Sequence, residues 1–167
     1  MSHVIEARHS RLGAALLVEP AAAGVASTHD CPLADVTVTS YVAVRDKPNK
    51  TREQQIQSMS CYELLLERAE KNKDEGLLVA VLGLGQPDGA HSSEMYSEFL
   101  EGLLLSKPEV LFDAMLTLTP LQQAAVVALL RDPLVTKKKD IDAVFHRFRD
   151  STRYAPIVAL YKKGSTK

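Results

Sequence analysis

Tryptophan is absent from this 167-residue sequence, and aromatic residues make up only 5% of it. Leu, Val and Ala must therefore supply most of the core, which favours helices packed on helices. Hydrophobic residues still reach 46%, enough at this length for one ordinary core rather than two domains. No apolar run approaches the ~20 residues that a membrane-spanning helix needs.

Signatures of catalysis and of cofactor binding are missing as well. Gly83 and Gly85 follow a predicted helix instead of a strand, so they do not form a phosphate-binding loop. His29 and Cys31 form a His-x-Cys pair that lacks the second pair of a zinc site. We predict no cofactor and no catalytic residues from these patterns.

One local cluster is an exception. His91 and Glu94 lie three residues apart at a predicted helix start, next to Asp88, and could ligate a metal or transfer protons. The more ordinary interpretation is that Asp88 caps the helix and Glu94 complements its dipole. A small enzyme or metal site using Asp88, His91 and Glu94 is therefore an alternative hypothesis.

The N-terminal region resembles a secretory leader. Two arginines, Arg8 and Arg11, precede an apolar run over residues 12–18, and small residues precede Ser27. Glu19 at the edge of a short apolar run argues against this interpretation. Residues 1–26 are predicted to be a signal peptide or an N-terminal helix and linker, and residues 27–167 a single helical domain, periplasmic or secreted if exported and otherwise cytoplasmic.

The two cysteines fit an exported protein. If the chain meets an oxidising compartment, Cys31 and Cys61 are expected to form one disulfide. In a reducing compartment both would be buried thiols.

The remaining chain is predicted to be mainly α-helical, an irregular orthogonal bundle of six or seven short helices. Residues 36–44 alternate β-branched side chains at period two, which predicts one strand or extended segment. Helix starts are predicted from hydroxyl caps at Thr51, Ser60, Ser106 and Thr119. The helix over residues 121–130 is apolar nearly all round, which is typical of a buried central helix.

Charge is distributed unevenly, although the formal net charge is only -1. Residues 74–113 are acidic and residues 131–167 are basic. We predict two docking surfaces on this basis, and Asp113 is also expected to project into solvent at the end of the acidic region. The residues of the two surfaces are Glu94, Glu98 and Glu101 in the acidic region, and Lys137, Lys138 and Lys139 in the basic region.

The leading functional hypothesis is a non-catalytic protein-binding module. In architecture, leader and cysteine pair the chain is similar to small exported helical proteins of bacteria, among them immunity proteins, so an inhibitor, immunity or adaptor role is expected. Its partner would be another protein, which the sequence does not identify. A basic-tail binder of nucleic acid or of an anionic surface is the third hypothesis, in which nucleic acid is disfavoured because few aromatics accompany the lysines.

Overall fold

The computed structural model describes residues 31–33, 35–71, 75–87 and 89–164, and within them the protein is an all-α bundle of eight helices. The predicted leader in residues 1–26 lies outside the described residues. The helices are α1 Val38–Arg45, α2 Arg52–Lys71, α3 Glu75–Leu84, α4 Ala90–Ser106, α5 Pro108–Leu116, α6 Pro120–Arg131, α7 Lys138–Arg147 and α8 Ala155–Lys163. None of them has the combined length and apolar composition that crossing a membrane requires.

The predicted strand over residues 36–44 is wrong, since most of it forms α1. Thr37 caps this helix: its hydroxyl accepts a hydrogen bond from the Ser40 amide at 3.1 Å, and the Ser40 hydroxyl accepts one from the Thr37 amide at 2.9 Å. This reciprocal capping satisfies two backbone donors that would otherwise lack partners. Local capping therefore outweighs the β-propensity of the valines.

Two of the four predicted helix starts are confirmed, at Thr51 and Thr119, where a glutamine three residues on completes the capping pair. At the third, α5 does begin at Pro108 as the proline predicts, but its N-cap is Lys107 and not Ser106. The predicted start at Ser60 is wrong. Ser60 lies buried within α2, which continues through it, and Ser106 ends α4 by donating a hydrogen bond to the Gly102 carbonyl at 2.7 Å. A serine followed three residues later by a glutamate is therefore not sufficient to identify a helix cap.

The central helix is α4, which contacts α2, α5, α6 and α7. The prediction that α6 would be central is wrong, because only Val126, Val127 and Leu130 of that helix are buried while Leu121 is 80% exposed. Apolar residues at intervals of three and four in the sequence predict twelve core positions, of which ten are buried, while Leu129 and Phe148 are half-buried. The confirmed ten are Leu65, Leu66, Leu78, Val81, Phe99, Leu103, Met115, Leu118, Val144 and Phe145.

The predicted disulfide between Cys31 and Cys61 is present. Cys61 is fully buried on α2, so the bond fastens the segment before α1 to the core. Arg68, two turns further along α2, donates hydrogen bonds to the Asp35 carboxylate and to the Val36 carbonyl. The described part of the segment before α1 therefore follows α2 although it has no regular secondary structure of its own.

Candidate docking surfaces

The first surface is a groove of about 320 Å³ between α2 and α4, which we call the acidic groove. Its floor is apolar, since Leu66 and Phe99 are buried and Met95 is half-buried beside them. Four carboxylates border that floor. The lining residues are Glu63, Leu66, Glu67, Glu70, Met95, Glu98, Phe99 and Gly102.

Helical spacing explains why the acids gather here. Glu63, Glu67 and Glu70 recur at intervals of four and three residues and so share one face of α2. On α4, Glu98 and Gly102 are one turn apart, and a Cβ atom added at Gly102 would meet nothing within 4 Å. Because glycine leaves this position empty, the groove stays open at the end nearest Ser106.

Two lysines lie near the acids of the groove. Lys71 lies 3.2 Å from a Glu67 carboxylate oxygen in an exposed ion pair, and such pairs contribute little stability. Lys107 donates to the backbone carbonyl of Glu70 at 3.0 Å, not to its carboxylate. Since no lysine or arginine is among the lining residues, an apolar floor with a negative border is suited to a cationic ligand with an apolar part.

Of the three acids predicted to form the acidic docking surface, Glu94 and Glu98 are exposed as expected. The predicted exposure is wrong for Glu101, which is 2% exposed. It is also wrong for Asp113, which is half-buried in a 2.8 Å ion pair with Arg153. The acids that border the groove beside Glu98 are instead Glu63, Glu67 and Glu70 of α2. Their regular spacing in the sequence was the available sign of a shared face.

Glu101 instead holds the loop between α6 and α7. Its carboxylate accepts hydrogen bonds from three consecutive backbone amides, those of Leu134 at 2.8 Å, Val135 at 3.2 Å and Thr136 at 2.5 Å. A carboxylate is tolerated in a protein interior when charge-assisted hydrogen bonds replace its water. The loop backbone is consequently fixed by a side chain of the central helix.

The second surface is the end of the molecule where this loop lies. Of the predicted lysines, Lys137 and Lys139 are exposed, and the exposed Lys138 lies 2.6 Å from the Asp142 carboxylate. The Lys138 ammonium and the Tyr161 hydroxyl both donate to Asp142, which lowers the pKa of that carboxyl. Lys138 is therefore engaged within the bundle, whereas Lys137 and Lys139 add positive charge to the surface.

Two apolar side chains on the same loop were not singled out from the sequence. Leu134 is 63% exposed and Val135 is 55% exposed, although the Glu101 carboxylate holds their backbone amides. Only their position between Pro133 and Lys137 could have suggested a displayed loop. The two side chains thus form a small exposed apolar patch on a loop whose backbone is fixed.

The alternative metal or enzyme cluster is described only in part. Asp88 lies outside the described residues, and Glu94 is not among the residues that line the nearby cleft of about 430 Å³ that His91 borders. Among the described residues, no group of three His, Cys, Asp or Glu side chains is placed to hold a metal ion. His91 instead shares its cleft with Tyr41, Arg45 and Lys50.

Comparison of the chain with models of protein families, with curated proteins and with solved structures finds no match. The two surfaces of the protein itself are therefore the basis for a functional proposal.

Proposed function

We propose that this protein is a non-catalytic binding module whose acidic groove holds a cationic, partly apolar segment of another protein, in an inhibitor, immunity or adaptor role. The observation that carries the proposal is the combination of a buried apolar floor, Leu66 and Phe99, with four bordering carboxylates. The groove volume of about 320 Å³ accommodates one or two apolar side chains of a partner.

The charges and the floor would contribute differently to binding. Carboxylates at the border of an interface attract a cationic partner over a distance and accelerate association, mainly at low salt. An apolar side chain seated on Leu66 and Phe99 would leave water, which slows dissociation. Glu94, one turn before Glu98 on α4, extends the negative surface beyond the groove.

Charge reversal tests this proposal. The triple variant Glu63→Lys/Glu94→Lys/Glu98→Lys should lose the partner that the wild-type chain retains from the source organism's extract, and should weaken binding of a synthetic Lys/Leu amphipathic peptide at least about tenfold, equivalent to ~1.4 kcal/mol. Binding by the wild type should fall with salt, and binding by the variant should not. Isothermal titration calorimetry measures both.

Two further variants separate charge from groove shape. The control Glu53→Lys/Glu109→Lys reverses exposed acids that do not line the groove and should bind as the wild type does. Gly102→Leu adds a side chain where the groove is open and should block binding while leaving every charge in place. Unchanged binding by the triple variant and by Gly102→Leu would contradict the proposal.

We also propose that the protein is exported, with residues 1–26 removed. The supporting observations are the leader-like sequence and the Cys31–Cys61 disulfide, a bond that persists in oxidising compartments. When the full-length chain is produced in a bacterium, the intact mass of the periplasmic protein should correspond to a start at Ser27. The variant Leu16→Arg, which interrupts the apolar run, should remain in the cytoplasm. A wild-type protein that keeps Met1 and stays in the cytoplasm would refute export.

A further inference from the structure

The ends of three helices meet at one end of the bundle, around the loop that Glu101 holds. The Arg131 guanidinium at the end of α6 donates to the Leu160 carbonyl of α8. Lys138 at the start of α7 donates to the Tyr161 hydroxyl of α8 at 3.2 Å. The loop over residues 132–137 therefore lies beside the end of α8. We call residues 131–139 together with Lys162 and Lys163 the basic tip.

Positive charge predominates on the surface of the basic tip. The tip and its border carry four exposed lysines and only two exposed aspartates. These are Lys137, Lys139, Lys162 and Lys163, and Asp132 and Asp140. Three further charged groups of the described residues lie at this end: Lys138 pairs with Asp142, Arg131 is half-buried, and the Glu101 carboxylate is buried under the loop.

Leu134 and Val135 protrude among these lysines, at 63% and 55% exposure. Glu101 holds the backbone amides of both residues, so their side chains are exposed on a loop of fixed conformation. Neighbouring lysines are attracted by the anionic headgroups of a lipid surface, and protruding aliphatic side chains can enter the boundary between headgroups and acyl chains. Neither protruding side chain is aromatic, so neither offers a ring on which a nucleic-acid base could stack.

We infer that the basic tip docks the protein reversibly on anionic lipid membranes, with Leu134 and Val135 inserted at the interface and the exposed lysines against the headgroups. This surface is separate from the acidic groove, so a groove-bound partner would be brought to the membrane. An acidic polypeptide is the competing occupant, and it would need an apolar recess for Leu134 and Val135.

Cosedimentation of the full chain with vesicles tests the inference. Vesicles of phosphatidylserine with phosphatidylcholine should bind the wild type, and phosphatidylcholine vesicles should not. Raising the salt from about 0.1 M to about 1 M, which shortens the Debye length from about 10 Å to about 3 Å, should release most of the protein. Leu134→Ser/Val135→Ser and Lys137→Gln/Lys139→Gln should each bind at least about tenfold more weakly, a loss of ~1.4 kcal/mol.

Matched controls lie elsewhere on the chain. Leu121→Ser removes an aliphatic side chain that is 80% exposed on α6, and Lys47→Gln/Lys71→Gln removes two exposed lysines outside the tip; both should bind as the wild type does. Equal binding to both vesicle types, no binding to either, or full binding by Leu134→Ser/Val135→Ser would overturn the inference. Binding of polyglutamate in place of vesicles would assign the tip to an acidic polypeptide.

Discussion

Replacing Glu101 with alanine should lower the free energy of unfolding by about 3 kcal/mol, since three amides of the α6–α7 loop lose a charged acceptor. Glu101→Gln should cost less, because the amide oxygen can still accept one of these hydrogen bonds. Urea unfolding followed by circular dichroism measures the change. Hydrogen exchange should show the Leu134, Val135 and Thr136 amides losing protection in the alanine variant.

Glu98→Ala is the matched control for this prediction. Glu98 lies on the same helix but is exposed, so its replacement should change the free energy of unfolding by less than about 0.5 kcal/mol. Equal destabilisation by Glu98→Ala and Glu101→Ala would mean that the buried carboxylate does not hold the loop.

Loss of the disulfide should have an effect of similar size. Cys31 and Cys61 are 30 residues apart, and closing a loop of that length stabilises the native state by roughly 3–4 kcal/mol in the chain-entropy account. Cys31→Ser should therefore lower the melting temperature by about 2–4 °C for each kcal/mol lost. Cys31 is the better site to change, because it is half-buried whereas Cys61 is fully buried.

Reduction provides the internal check on the disulfide prediction. Reductant should destabilise the wild type to the level of Cys31→Ser and leave that variant unchanged. The intact oxidised protein should also be about 2 Da lighter than its reduced form, as two hydrogens leave when the bond forms. A variant as stable as the oxidised wild type would show that the covalent link adds nothing to the core contacts of Cys61.

Helical periodicity made most of the fold predictable from the sequence. Apolar residues at intervals of three and four identified ten buried positions correctly, because such a stripe can leave water only by packing on other helices. The period-two pattern before residue 45 was misleading, since valines fit a strand while Thr37 and Ser40 supply a helix cap. Capping decided the outcome there.

The candidate surfaces were less predictable than the core. Glu101 was predicted to be exposed, although it lies three residues before Leu104 of the apolar stripe on α4, which was the available sign of an inward position. Its partners at residues 134–136 are more than thirty positions away, and no local pattern reveals them. The acidic groove likewise depends on how α2 and α4 pack, which single-helix patterns do not specify.

The Glu101 carboxylate affects which amino-acid substitutions the α6–α7 loop can accept. It binds main-chain amides, which every residue except proline possesses, so the shape of the loop is encoded outside the loop. Positions 134 and 135 can therefore accept many side chains without loss of conformation. The side chains displayed at these two positions can thus vary independently of the loop conformation. That conformation is determined by Glu101 on α4.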